Sequence, residues 1–374
     1  LGVIGLLFGI AIILPAFRLV PLKMLPFDNK NDFQILVDMD EGTSLESTEA
    51  TLRDLGAYLR TVPEVTQFTG YAGLASPMDF NGLVRHYFLR RGANVADLRV
   101  SLLPKKVREQ QSHELMLRIR KDLERIADKH HAAIKLVELP PGPPVIATVT
   151  AEIHGDPETP YSDFQEAALT LAQRLKKEPM VVDIDTSVEA DQSKLTFSVD
   201  KEKAALSGVG TEEVAQTLQL ATGGLEATTL NIPEEVSPLP VILRLPYALR
   251  SDPESLTRLY IKGRPGITKV REGNMLKDAP IPLVPLSEIG RMESGVGDKT
   301  IYHQNLNRVA YVYAETAGRP PADVVLDVLF DQQPNSQNEV SEKPGRPVEG
   351  RNYFAPGGGI PWSIKKGVHV VWTG

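Results

Sequence analysis

At 374 residues the chain exceeds one ordinary domain, and two to four compact units are expected. A formal charge of −7 excludes the basic field of a nucleic-acid binder. The absence of cysteine excludes disulfides and thiolate metal sites.

Residues 1–14 form an unbroken apolar run that ends at Pro15. A bilayer span needs roughly 20 apolar residues, and a signal peptide needs a basic flank and a small-residue cleavage site. The run satisfies neither and reads as a transmembrane helix entered part-way, with a buried core helix as the alternative. Arg18 and Lys23 follow it, which on charge alone places that side in the cytoplasm.

A Pro-punctuated exit leads to a strand over 33–37. Thr43 and Glu46 form a capping box for a helix to about Arg60, with Leu45, Leu52, Leu55 and Leu59 as its apolar stripe. A strand over 65–68 runs into a glycine-bearing loop, Gly70, Tyr71, Ala72, Gly73 and Leu74. Leu98, Val100 and Leu102 alternate in a third strand. Ser112 caps a helix striped by Leu115, Ile119, Leu123 and Ile126, and 134–138 is the fourth strand. The order βαββαβ describes a split βαβ unit, one sheet with two helices on one face. Pro140, Pro141, Pro143 and Pro144 then impose a stiff, extended connector.

Beyond it the pattern restarts with a strand over 145–153 and a helix from Ser162, capped with Gln165 and facing Phe164, Ala168, Leu171 and Leu175 inward. Strands follow at 181–184 and 195–199. The repeat is then interrupted by short helices, closed by Gly223 and Gly224, and by a Pro- and Arg-rich β segment to residue 282. The basic loop 264–273 lacks the strand–loop–helix context of a nucleotide site and reads as a solvated turn. Strand and helix signals return at 284–289, at Val309, Tyr311 and Tyr313, and at the helix opened by Pro320 and Pro321. Residues 331–359 read as a polar loop, flexible or a surface insertion, and 368–372 as a closing strand.

No hydrolase nucleophile elbow, zinc-protease helix or phosphate loop is present, and His130 with His131 has no metal-ligand spacing. The chain is therefore read as a non-enzyme with no cofactor and no metal site.

Several motifs in order carry a resemblance: Arg18 and Leu19 with Leu25 and Pro26; the run Phe197, Ser198, Val199, Asp200, Lys201, Glu202, Lys203, Ala204; Gly208 and Val209; Gly223 and Gly224; Val284, Pro285, Leu286; and Trp372, Thr373, Gly374. Together they resemble the second periplasmic half of a resistance-nodulation-division (RND) efflux transporter, between transmembrane helices 7 and 8. The resemblance implies an α+β chain of tandem split βαβ (ferredoxin-like) porter subdomains, with a small α+β docking subdomain inserted in the second and a truncated transmembrane helix at the N-terminus. Expected bounds are 1–20 for the helix end, 31–140 for the first porter subdomain, 145–200 and 284–374 for the second with a flexible loop at 331–360, and 201–283 for the docking insert.

It further implies a proton-driven pump of multidrug or metal resistance in the inner membrane of a Gram-negative bacterium, with this part in the periplasm. The expected partners are two further copies in a homotrimer, a periplasmic adaptor, an outer-membrane channel and a small-molecule substrate, and no nucleic acid. By resemblance the substrate cleft is lined by Phe68, Gly70, Tyr71, Gly73 and Leu74, the last four in a gate loop, and by Lys135, Val137 and Leu139. Drug-pump aromatics are absent from the last group, Met39 and Met78 make no matched set for soft metals, and Arg85, Arg90 and Arg91 suggest anionic or amphipathic cargo. The competing reading is a membrane-anchored periplasmic interaction or lipid-transfer domain of the same superfamily.

Overall fold

The computed structural model describes residues 2–20, 29–138, 145–233, 235–264, 269–334 and 337–373. The proline connector, the exit at 21–28, Leu139 and the tip of the basic loop lie outside the described residues. The chain divides into two compact units, 1–190 with 298–374, and 191–297.

The larger unit contains two lobes of the same plan. In the first, the strands run in the order Val65–Leu74, Arg91–Leu102, Asp32–Met39, Ala132–Val137, all antiparallel. Alternation puts Phe33, Ile35, Val37, Leu98, Val100, Ile134 and Leu136 on one side, where helices Leu45–Leu59 and Ser112–Lys129 cover them. The first helix is capped by Ser44, which accepts from the Ser47 N–H, one residue later than Thr43. Leu45 lies outside the stripe and is exposed.

In the second lobe, strand Asn307–Thr316 is central, flanked by Val149–Gly155 on one side and by Tyr302–Gln304 and Val181–Thr186 on the other. Val368–Trp372 pairs the far edge of Val149–Gly155. Helices Tyr161–Lys176 and Pro321–Phe330 supply Phe164, Ala168, Leu171, Leu175, Val324 and Val328 to its core. The first strand starts at Val149, not 145, and Pro160 rather than Ser162 occupies the cap.

Gly155 is required by close approach: a Cβ there would stand 2.2 Å from the Phe164 ring and 3.0 Å from the Gly367 carbonyl. Gly155→Ala is expected to lower stability by about 1–3 kcal/mol through overpacking, seen as a lower denaturant midpoint at unchanged slope.

The smaller unit is built on the antiparallel pair Ser193–Val199 and Gly290–Val296. Helices Lys201–Leu206 and Thr211–Thr222 pack Ala204 and Val214 against Ile261, Val284, Leu286 and Ile289. Asp200 caps the first of these by accepting from the Lys203 N–H at 3.1 Å. Two hairpins complete it, Leu225–Leu230 with Leu239–Leu243 and Lys269–Glu272 with Met275–Asp278.

The helix Gly2–Ala16 is apolar throughout. Among the described residues no helix is long and apolar enough to cross a membrane.

Candidate functional site

The helix-free face of the first sheet carries polar residues in register. Tyr71, Asp97, Leu36 and Lys135 form one row across its four strands, and Thr69, Arg99, Gln34 and Val137 the next. The segment after Leu74 folds back over this face and bonds to it. Asp97 accepts from Gln34 at 2.9 Å and from the Ser76 N–H at 2.8 Å. Arg99 bonds Ser76 at 2.9 Å and Asp79 at 2.5 Å, and Arg90 bonds Asp38 at 2.6 Å. These groups are buried or half-buried, where an unpaired polar atom is costly, so the pairing fixes the segment.

The two lobes meet where strand Ala132–Val137 lies beside strand Val181–Thr186, and charged side chains join them. Lys135 reaches Asp185 across the junction and stands 3.5 Å from Asp38 of its own lobe. Burial alone would lower the Lys135 pKa, but Asp185 and Asp38 outweigh it and hold the ammonium above its usual value. Arg120 holds Asp183 at 2.5 and 3.1 Å, and Arg85 holds Glu315 at 2.7 Å. Burial raises the Asp183 carboxyl against the pull of Arg120.

A second charged cluster lies inside the second lobe. Helix Pro321–Phe330 and the residue after it place Asp323, Asp327 and Asp331 at four-residue spacing on one face. Glu178 joins them, and Arg18, Arg174, Arg319 and Arg351 converge on the four carboxylates. Arg18 bonds Asp327 through two nitrogens at 3.0 Å each, Arg174 bonds Glu178 and Asp331 at 2.7 Å each, and Arg319 bonds Glu178 at 2.6 Å and also Asp327. Arg351 bonds Asp327 at 3.0 Å and also Glu178. The glycine triplet donates backbone N–H groups to the same acids, Gly357 to Asp327 at 3.0 Å, Gly358 and Gly359 to Asp331 at 2.9 and 3.0 Å. All eight side chains are at most 8 % exposed. The segment expected as a flexible loop at 331–360 is thus tied to the lobe through Arg351 and the glycine triplet, and its Glu339–Val340 pairs with Trp362–Ser363.

The residues expected to line a cleft are not brought together. The gate loop is not a loop: Gly70 to Leu74 continue the edge strand Val65–Leu74 and pair with Leu98 to Arg91. Pairing with strand Arg91–Leu102 holds them extended where the glycines alone suggested freedom. Phe68 turns to the helix side, its ring against Gly56 and under the Arg60 guanidinium at 5.3 Å, and Gly70 packs on Leu98 and Leu52. Gly73, at φ +79°, accommodates a shift of register beside Leu45. Leu74 is exposed at the sheet edge opposite Arg91. Tyr71, Lys135 and Val137 share the helix-free face, but Tyr71 and Lys135 lie on opposite edges, roughly 14 Å apart at three strand spacings. Val137 is buried, and Leu139 lies outside the described residues.

The arginines expected to attract anions are spent internally, Arg85 on Glu315 and Arg90 on Asp38, while Arg91 is exposed. Met39 is a core residue beside Thr51 and Met78 is exposed. Among the described residues no group of three His, Asp or Glu side chains is disposed to hold a metal ion.

Tandem lobes of this plan, with a separate unit spliced into the second, match the fold expected of an RND efflux transporter. The chain belongs to the AcrB/AcrD/AcrF family, whose profile matches residues 1–334. It is similar to the cobalt-zinc-cadmium resistance protein CzcA of Cupriavidus metallidurans, 25% identical over 309 residues, which cover 79% of this chain and 26% of that protein. The protein HelA of Legionella pneumophila is 25% identical over 183 residues, 49% of this chain and 16% of HelA. Crystal structures of a heavy metal efflux pump in two forms share the fold at TM-score 0.64, with 16% and 15% identity, covering 87% and 98% of this chain and 32% and 33% of those chains. The chain thus spans about a quarter of the length of CzcA and a third of the solved pump.

Proposed function

We propose that this chain is the periplasmic porter and docking portion of a proton-driven RND exporter in the inner membrane of a Gram-negative bacterium. The lobes at 31–140 and at 145–200 with 284–374 act as porter subdomains flanking the cargo path, and the inserted unit, taken as 201–283, as the docking subdomain. The family match over residues 1–334 carries this reading. The intact exporter is a homotrimer that meets a periplasmic adaptor and an outer-membrane channel, and its proton relay lies in membrane helices beyond this chain.

The cargo we favour is a divalent metal cation. Two of the curated relatives are named as a cobalt-zinc-cadmium resistance protein and a cation efflux system protein. Two of the three arginines that would favour anions, Arg85 and Arg90, are neutralised by carboxylates. At the junction, moreover, the Lys135 ammonium sits between Asp38 and Asp185, a place where two acids from two lobes already favour a cation. Among the described residues expected to line the path, Lys135 bridges the lobes.

Cells lacking the full-length gene, challenged with cobalt, zinc and cadmium and with dyes, detergents and bile acids, are expected to become sensitive to the metals and to accumulate them. Sensitivity confined to dyes and detergents would replace metal by drug cargo. Unchanged efflux of every compound would remove the exporter reading.

A further inference from the structure

We propose that the segment 341–360 seats the second lobe on the lipid bilayer, with Phe354 and Phe17 placed in the membrane interface. This rests on the reading of the N-terminal helix as membrane-embedded and adds to it a lipid contact made by the lobe itself.

The N-terminal helix leaves apolar side chains exposed on every side: Val3 71%, Phe8 67%, Ile12 55% and Ile13 52%. Such a surface is stable in hydrocarbon and unstable in water. The apolar surface does not stop where the helix ends. Phe17 is 49% and Leu19 70% exposed, and Phe354, although more than 300 residues away in sequence, stands beside Phe17 with ring centroids 5.7 Å apart and is itself 75% exposed. Phe330, which lies over Gly357, is 63% exposed.

The depth of Phe354 is set by the protein. The Tyr353 N–H donates to the Ala16 carbonyl at 3.0 Å, one of the carbonyls that a helix end leaves open. The Arg18 guanidinium stacks over the Tyr353 ring at 5.0 Å while it bonds Asp327, and the Tyr353 hydroxyl donates to Asp323 at 2.6 Å. Phe354 is therefore held at the level of the last helical turn. If the helix is in lipid, that level is the boundary between acyl chains and headgroups, where aromatic side chains anchor. The continuity of one apolar surface from the helix to the segment identifies the bilayer as its partner.

The absence of cysteine in this chain permits a direct test in the full-length exporter, made otherwise cysteine-free and reconstituted in phosphatidylcholine bilayers. Single cysteines replacing Phe354, Phe8 and Phe80 are spin-labelled. Collision with oxygen, which concentrates in lipid, is compared with collision with a water-soluble nickel chelate. Phe80 is 69% exposed and serves as the aqueous reference. The expected oxygen-to-nickel ratio at 354 exceeds that at 80 severalfold and approaches that at 8. A lipid-like ratio at 8 with a water-like ratio at 354 overturns the seat and leaves the membrane helix standing. Shielding of 354 from both reagents overturns it in favour of a protein contact. A water-like ratio at 8 overturns the membrane reading of the helix, and the seat with it.

Discussion

Asp327→Ala is expected to destabilise the larger unit by about 3–5 kcal/mol, the range for removing one partner of a buried charge network. The Asp327 carboxylate is fully buried and serves Arg18, Arg319 and Arg351 together with the Gly357 N–H. Alanine would leave three guanidinium groups in the interior with less counter-charge than cation. It would also release the glycine triplet that closes the segment over the helix.

The same group has an acid signature. Burial alone would raise its pKa, but Arg18, the Gly357 N–H and Arg351 outweigh it and hold the carboxyl at about 2, against 3.8 for the free group. A folded-state value below the unfolded one means that this contribution is present above about pH 4 and is lost as pH falls toward 2. At 1.36 kcal/mol per unit it is about 2 kcal/mol. Denaturant unfolding of the wild type between pH 5 and pH 2, set against Asp327→Asn, is expected to show a steeper acid loss in the wild type. An Asp327→Ala midpoint equal to the wild type would show that the cluster contributes nothing to stability.

Lys135→Met is expected to loosen the junction between the lobes and to reduce export by the intact protein. The ammonium separates Asp38 of one lobe from Asp185 of the other. Methionine keeps the length of the side chain and removes the cation that the two lobes share: Asp38 keeps Arg90, but Asp185 loses its partner across the junction, so the attraction between the lobes weakens. These side chains are 20–45% exposed, and solvent screens them, so the coupling is of order 1 kcal/mol, not the larger figure of a buried pair. Adding Asp185→Asn removes the unpaired carboxylate and is expected to restore part of the lost export. Export that falls equally in the single and double variants would make Lys135 a direct cargo contact and not a tie between lobes.

The repeat was legible because alternation and helical stripes are local signals. Ile35 and Val37, Leu98 and Val100, Leu171 and Leu175 all lie in the cores that their spacing indicates. The pairing of Pro320 and Pro321 marked a helix start that stands at Pro321. What failed needed partners distant in the chain. Gly70 and Gly73 suggest a mobile turn when read alone, yet strand Arg91–Leu102 supplies hydrogen bonds that hold them extended. Residues 331–360 are polar and glycine-rich because they serve buried acids with N–H groups and arginines, and composition cannot separate that from a solvated loop. One signal was available: Asp323, Asp327 and Asp331 fall on one helical stripe, with Arg174 in the last turn of another helix and Glu178 four residues on, just past its end. Four-residue spacing of acids inside an apolar helix asks for buried cations. Nothing local, however, pointed to Arg18 as one of them.

Under the proposed function the two lobes of the larger unit flank the cargo path, and we infer that they shift against each other as cargo passes. In an otherwise cysteine-free full-length exporter, Lys135→Cys and Asp185→Cys can be joined by a short, reducible bis-thiol linker. Metal export is predicted to stop when the bridge forms and to return when it is reduced, while either single cysteine treated in the same way leaves export intact. Full export with the bridge demonstrably in place would contradict the account.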